Sequence, residues 1–443
     1  MRKGLRHMLG GLALILLGQA ASAQATVQDM DFRIVLAQLA QKVGANGQIT
    51  ILRAQGDAPA PAIVLRGGTM DLAEVAAQTG DALTRDAAGR FVLTRPLLVW
   101  DDATLRLGAQ DDLYLDAGSG AFLAALGGLV VEGGKVTSAP LPTDTAELED
   151  TFHPFILVAG QGHIAASGAD FSNLGFGKIP AFSGVALINR GIFPARETSH
   201  ITESTISHVQ ALSLLSVDDA VLTGNRISNA QETGVVIRAG QRIRIADTVV
   251  DAPGGHGVRI AEGAQGVRIT GTDIRGPKRN GILVDSRSTD IALVGNSVTA
   301  PQSTGILIDG AFCVRAEGNV IADGAYSGIA VQRSAHVALA ANTLARNHSA
   351  GIAVSEQPPA GATLLSGNRL VGNRVGIRGV TSGDIQFVGN DFSDQFPRFL
   401  DGDLMFETRR VARDLRGAEP FDFAGAHDTR AIVVPDCTTP GGA

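Results

Sequence analysis

The chain has little of what many enzymes and binding modules are built on. Two cysteines, Cys313 and Cys437, occur in 443 residues. That excludes a disulfide-stapled miniature fold, and two isolated thiols with no other ligands at suitable spacing exclude a cysteine-based metal site. No metal or other cofactor is therefore expected. In an oxidising compartment the two cysteines could form one bridge, pinning the C-terminal tail onto the body. Aromatic residues make up 5%, with one Trp and two Tyr, too few for large ring anchors to carry the core. The net charge of −7 speaks against a general attraction to nucleic acid or anionic membrane. Beyond the N-terminus no run approaches the ~18 apolar residues of a membrane span, so a soluble mature protein without membrane insertion is expected.

What is abundant is glycine, at 55 residues, within a chain that is 44% hydrophobic. Small side chains and many glycines suit tight turns and close backbone stacking. At the N-terminus, Arg2, Lys3 and Arg6 precede an apolar stretch from Met8 to Leu17, and Ala21-Ser22-Ala23 follows. The apolar stretch is too short to span a bilayer and the small-x-small triplet fits a cleavage site. Residues 1–23 are read as a secretory signal, which places the mature chain in the periplasm. No Cys follows the cut to accept a lipid.

Periodicity decides the architecture. A small residue, a glycine and two or three aliphatic positions recur at Gly234, Gly257, Gly281, Gly305, Gly328, Gly351 and Gly376, in steps of 23, 24, 24, 23, 23 and 25 residues. A second signature interleaves at Asn225, Asn296, Asn319, Asn342, Asn368 and Asn390, with Asp247 and Thr272 filling the two gaps. The segments between are short and alternate apolar with polar residues, which is strand patterning. A period near 23 with short strands and Gly/Asn turns predicts an all-β fold, a right-handed parallel β-helix. The asparagines are expected to form an internal amide ladder. Degenerate coils extend the array over about 95–390. Residues 27–94 read as a small α/β unit, with helices in FRIVLAQLAQKVG and, capped by Thr69, in GTMDLAEVAAQTG. It should cover the open N-terminal end, which would otherwise expose apolar core and sheet edges. The Phe-rich tail, 391–443, should cover the other end.

The residues around each repeat glycine mark one polar face. They include Arg238, Glu262, Asp285, Arg287, Asp309, Arg333 and Glu356 after the glycine, and His256 and Asn280 before it. Lys278 and Arg279, and further along Asn347 and His348, lie in the turns leading in. Stacked over seven coils, they make a stripe about 30 Å long. A long groove of mixed charge suits an extended acidic sugar chain held by hydrogen bonds and ion pairs. Tyr326 is the only Tyr near these turns.

Four stretches then carry a family resemblance: FHPFILVAGQGHIAASGADFSNLGF, GPKRNGILVDSR, RNHSAGIAVSE and GNRLVGNRVGIR. In order and spacing they resemble the periplasmic mannuronan (alginate) C5-epimerase family over about residues 91–380. The resemblance implies a uronic-acid exopolysaccharide as substrate, no cofactor, and a place in a periplasmic polymer-export assembly. The chain is expected to act as a monomer. It also departs from the family. The central Gly-Ile-Asp-Pro-His-Asp motif, whose His is taken as the base, falls on GVRIAE. Its residues become Arg259, Ile260, Ala261 and Glu262, so the inherited base is missing and only the last acid keeps its character.

C5 epimerisation requires a cation at the substrate carboxylate, a group that removes the C5 proton and one that returns a proton to the opposite face. Arg259, Lys278, Arg279 and Arg287 are candidates for the carboxylate. His256 and His348 could stand in for the base. Glu262 and Asp285 could orient a His or hold hydroxyls, and Asn280, Asp309, Arg333 and Asn347 complete a binding set. β-Elimination shares the first step, so a lyase remains open. So does a glycosidase, which needs two carboxylates ~5–9.5 Å apart, for which Asp285 and Asp309 qualify. So does a groove that only binds or scaffolds polymer.

Overall fold

A computed structural model describes residues 25–43, 48–142, 151–191, 193–285, 287–358, 361–380 and 383–423. Short strands wind into three sheets of 15, 14 and 14 strands, here A, B and C, each visited once per coil. Within the array neighbouring strands are parallel and, apart from a register shift between Arg369–Val371 and Asp391–Asp394, in register, as in Val258–Ala261 on Ile282–Asp285 and Ile306–Asp309. This is the expected parallel β-helix. The inward positions of sheet A, among them Val258, Ile260, Ile282, Val284, Ile306 and Ile308, are fully buried. They meet the inward rows of the other two sheets in one continuous core.

Two constraints explain the repeat signatures. A Cβ on Gly257 would meet the carbonyl oxygen of Gly281 at 2.6 Å and Ile274 Cγ2 at 2.4 Å, so only glycine permits this spacing between coils. The residue before each ladder asparagine adopts the left-handed backbone region, at Gly224, Gly295, Gly318, Ala341, Gly367 and Gly389, a conformation glycine enters without Cβ strain. The amide ladder forms over Asn296, Asn319, Asn342, Asn368 and Asn390. Each of the first four donates through Nδ2 to the Oδ1 of the next at 2.9–3.0 Å, and each Oδ1 of the last four also accepts a backbone N–H from the coil before. The coil after Asn225 places Thr248, not Asp247, at the ladder position, and Thr272 follows it before Asn296. Thr248 and Thr272 are fully buried, while Asp247 takes the left-handed position beside it.

The parallel ladder extends outside 95–390, taking in Ala62–Arg66 and Gly68–Asp71 at one end and Leu400–Gly402 at the other. The helix Leu72–Thr79 puts Leu72 and Val75 into the core. Its N-cap is Asp71 rather than Thr69, because Asp71 and Glu74 satisfy each other's backbone N–H groups in a capping box. The helix Phe32–Val43 does not cover the open end. It lies with Phe122, Phe155, Phe176 and Phe182 against the outer face of sheet A, over Leu98, Ala124, Leu157 and Ala186. A second short helix, Gln48–Ala54, follows it. At the C-terminal end Leu404 and Val411 enter the core, and Phe421–Phe423 closes sheet B by antiparallel pairing with Asp384–Val388. No helix among the described residues is long and apolar enough to cross a membrane. The signal segment and Cys437 lie outside the described residues. Cys313 sits half-buried on sheet B and is not a free thiol.

Replacing Asn342 by Ala would take away the partner of the Asn319 backbone N–H and of one of its two Nδ2 hydrogens, the other staying on the Leu293 carbonyl, and the Nδ2 donor to the Ala316 carbonyl. Unpaired buried polar groups cost about 1–3 kcal/mol each. A loss of about 3 kcal/mol is expected in denaturant unfolding, and a change below ~0.5 kcal/mol would mean that the ladder contributes nothing.

Candidate functional site

Two outward rows of sheet A form the candidate site. The first runs Ser213, Val236, Arg259, Leu283, Leu307, Ala330, Ala353, Arg378 in strict register. Two residues further along each strand comes Leu215, Arg238, Ala261, followed on the next coils by Asp285, Asp309, Gln332 and Ser355. The first row gives a trough an aliphatic floor interrupted by Arg259. The second gives it a charged wall. The opposite wall is the turn leading into the sheet. There the backbone N–H groups of Lys278, Gln302, Ala325 and His348 each bond a carbonyl of the preceding coil, so these residues stack. Tyr326, 60% exposed, stands two coils on from Arg279.

The centre of the trough is a three-residue cluster. Arg259 reaches to the next coil and holds Asp285 Oδ2 through Nε at 3.0 Å and Nη2 at 2.9 Å. The other oxygen, Asp285 Oδ1, is buried and has no hydrogen-bond partner. His256, 8% exposed, accepts the Asn280 backbone N–H at Nδ1, 3.3 Å away. Burial lowers the His256 pKa to about 4; the charges of Arg279 and Arg259 act in the same direction and Asp285 opposes them. The ring is therefore neutral above mildly acidic pH. With Nδ1 accepting, its proton sits on Nε2, which makes His256 a hydrogen-bond donor. To serve as a base at Nε2 it would have to give up the Asn280 bond.

Around this cluster the expected candidates separate. Lys278, Arg279 and Arg287 are exposed and make no ion pair among the described residues. Asp309 lies in register beside Asp285. Its Oδ1 is likewise buried and unpartnered, and its Oδ2 is held by Arg333 at 2.6 Å. Arg333 also binds Glu356 at 2.8 Å, so its charge is already matched. Glu262 is exposed in a left-handed turn and pairs with Arg238 at 3.3 Å. Ala261, onto which the resemblance would register a base, is fully buried, with Arg238 one coil before and Asp285 one coil after. Three expectations need correction. Asn347 is not in the trough but inside the wall, amide-paired to Asn373 at 2.9 Å. Asn280 is buried and spends its Oδ1 on the Thr304 N–H at 3.1 Å. His348 stands on the coil of Ser355, three rungs or about 14 Å from Asp285 along the axis, and cannot share its chemistry. Arg238 was detectable only as the residue four after Gly234. Its pairing, like that of Arg259 with Asp285, spans coils and leaves no local pattern in the sequence.

No group of three or more His, Cys, Asp or Glu side chains among the described residues could hold a metal ion. The family model described as "Periplasmic copper-binding protein (NosD)" matches residues 248–397 and that described as "Right handed beta helix region" matches 147–298. No curated protein sequence matches the chain. Among solved structures, a crystal structure of the periplasmic alginate epimerase AlgG is similar with a TM-score of 0.74 at 17% identity, covering 91% of this chain and 100% of that one. A substituted variant of the same enzyme gives 0.70 at 17% identity, covering 90% and 100%. The chain therefore shares the right-handed β-helix of an alginate epimerase over nearly its whole length.

The depressed pKa of His256 has a stability consequence. The unfolded ring takes up a proton near pH 6.5 and the folded ring only near pH 4. Stability attributable to this group is complete above pH 6.5 and declines as the pH falls towards 4. A His256→Gln variant should lose less stability than the parent over that interval, measured as denaturation midpoints. Equal slopes would place His256 in solvent.

Proposed function

We propose that the trough on sheet A binds and modifies an acidic, uronic-acid polysaccharide in the periplasm, as a C5-epimerase or lyase. One observation carries the reading. Three cations that make no ion pair among the described residues, Lys278 and Arg279 before the strand and Arg287 after it, share the coil of a carboxylate that has one oxygen clamped and the other buried without a hydrogen-bond partner. In this reading Lys278 and Arg279 bind the substrate carboxylate and neutralise the charge that develops on it when the C5–H bond breaks. Asp285 Oδ1 accepts the proton, and its electron pair passes into the carboxylate. Arg259 fixes the orientation of Asp285. His256 Nε2–H donates a hydrogen bond to the same developing charge, as a neutral imidazole does better when its pKa is low. Return of a solvent proton to the other face of C5 gives the epimer, and loss of the 4-oxygen gives the unsaturated product. Asp285 thus takes over from the base that Ala261 cannot supply. The likeness in fold to a periplasmic alginate epimerase supports the polymer class, and the same trough could serve within an export assembly.

Purified protein incubated with polymannuronate in deuterated water should incorporate deuterium at C5. Asp285→Asn should reduce the rate by at least a hundredfold, in the range for a general base, with polymer binding retained. Deuterium uptake unchanged in that variant would remove Asp285 from the chemistry. Gel retardation with neither exchange nor ultraviolet absorbance would leave only binding. Lys278→Ala and Arg279→Ala should each weaken retention about fivefold, as expected for a partly exposed ion pair of ~1 kcal/mol.

A further inference from the structure

We infer that the trough is blind at one end and takes an acidic polysaccharide by its terminus rather than along its length. The inference rests on the function proposed above and concerns how the polymer enters the site. The floor row of sheet A runs without interruption from Val64 through Leu98, Ala124, Leu157 and Ala186 to Ser213 and onward to Val236 and Arg259. From Val64 to Ser213 every member is 0% exposed; beyond, Val236, Leu283 and Ala330 show 8%, 9% and 5%, and Arg259, Leu307 and Ala353, alternating with them, are partly exposed. The cover over the closed part is built from the chain itself. The helix Phe32–Val43 and the phenylalanine cluster fill the space above the sheet. At the boundary Ser183 Oγ bonds Ser213 Oγ at 2.7 Å, and Gln210 Nε2 donates to the Gly177 carbonyl at 2.7 Å.

Both sides of the trough are raised at the same place. On the side of the leading turn, Gln231 Nε2 donates to the Pro142 carbonyl. On the other, Arg190 Nη1 donates to the Val43 carbonyl and ties the loop after Gly184–Ile188 to the end of the covering helix. In the opposite direction nothing among the described residues covers the row through Ala353 to the exposed Arg378.

The distances are unequal in consequence. Arg259 lies two rungs from Ser213, about 10 Å, and five rungs from Arg378, about 24 Å. At roughly one ring per rung, a chain lying along the axis has room for about two rings past Arg259 on the closed side, whereas the open side holds a longer run. A polymer threaded through the site from end to end would have to pass through Ser183, Gly177 and the helix. Lys278, Arg279 and Arg287 supply the charge complementarity for an acidic chain end at the head of this run.

Stoichiometry tests this directly. Polymannuronates of two defined lengths, one at least four times the other, are saturated with the protein and weighed by light scattering or sedimentation. One protein per chain is expected at both lengths. Octamers blocked by a bulky group at the reducing or at the non-reducing terminus should differ in affinity at least tenfold, because one terminus must enter the closed end. Loading that rises in proportion to chain length, or equal affinity of the two blocked octamers, overturns the blind trough, for instance in favour of an exit through the recess of about 520 Å³ beside Arg190 and Phe193. No binding of the unblocked octamer or of either polymer rejects the acidic-polysaccharide reading itself, and the inference falls with it.

Discussion

The close parallel stacking of coils is the constraint on which everything else depends. Its limit is set at the repeat glycines, where the carbonyl of the next coil lies 2.6 Å from where a Cβ would stand at Gly234, Gly257, Gly281 and Gly305. Once coils are that close, equivalent residues become neighbours. Asparagines about 23 residues apart join into an amide chain, and the aliphatic residues of three sheets merge into one core. Charges that are remote in sequence become contacts, because a side chain on one rung reaches the next. Arg259 to Asp285, Arg333 to Asp309 and Arg242 to Asp219 are all bonds between adjacent rungs.

Most such pairs only neutralise each other. Arg242 holds both oxygens of Asp219, and Arg346 both of Asp323, at the exposed edge of the solenoid. Among the ion-paired carboxylates of the described residues, Asp285 and Asp309 are set apart by one buried oxygen without a hydrogen-bond partner, a feature shared outside the ion pairs by Asp112. A desolvated, unpartnered carboxylate oxygen is unfavourable in a resting structure, and such features concentrate where they serve binding or chemistry. Of the two, Asp285 has the unmatched cations and the neutral imidazole beside it. Asp309 has an arginine that is already shared with Glu356.

The fold was readable from the sequence because its two signatures each report a steric or hydrogen-bonding requirement that recurs on every coil. The site was readable only in part. Spacing from the repeat glycine correctly puts Asp285 and Asp309 on adjoining rungs, since register follows from periodicity. It fails for Asn347, where the same turn holds both a solvent-facing position and a ladder position one residue apart. It fails similarly at Asp247, whose place in the ladder belongs to Thr248. The path of the helix Phe32–Val43 could not be read either. Its buried stripe of Phe32, Val35, Leu36 and Leu39 shows that it packs on something apolar, but an open helix end and an aliphatic outer sheet face satisfy that stripe equally well.

Where that helix lies bears on the positions onto which the resemblance would place its Asp-Pro-His-Asp motif. At the covered end, the outward side chains are small or aliphatic: Ala124, Leu157, Ala186, Leu215. The first charged positions in either row after the cover ends are Arg238 and Arg259. An Asp-Pro-His-Asp segment at residues 259–262 would put its Pro on the inward-facing, fully buried position of Ile260. It would also put its His on Ala261, which has no exposed surface. The present sequence packs Ile and Ala there instead and extends Arg259 across to the following coil. The proposed base, Asp285, lies one rung further from the covered end. An arginine on one carboxylate oxygen with the other buried and unpartnered recurs at Asp309, so what distinguishes Asp285 is the neutral His256 near it and a clamp from Arg259 that has no second acid to share.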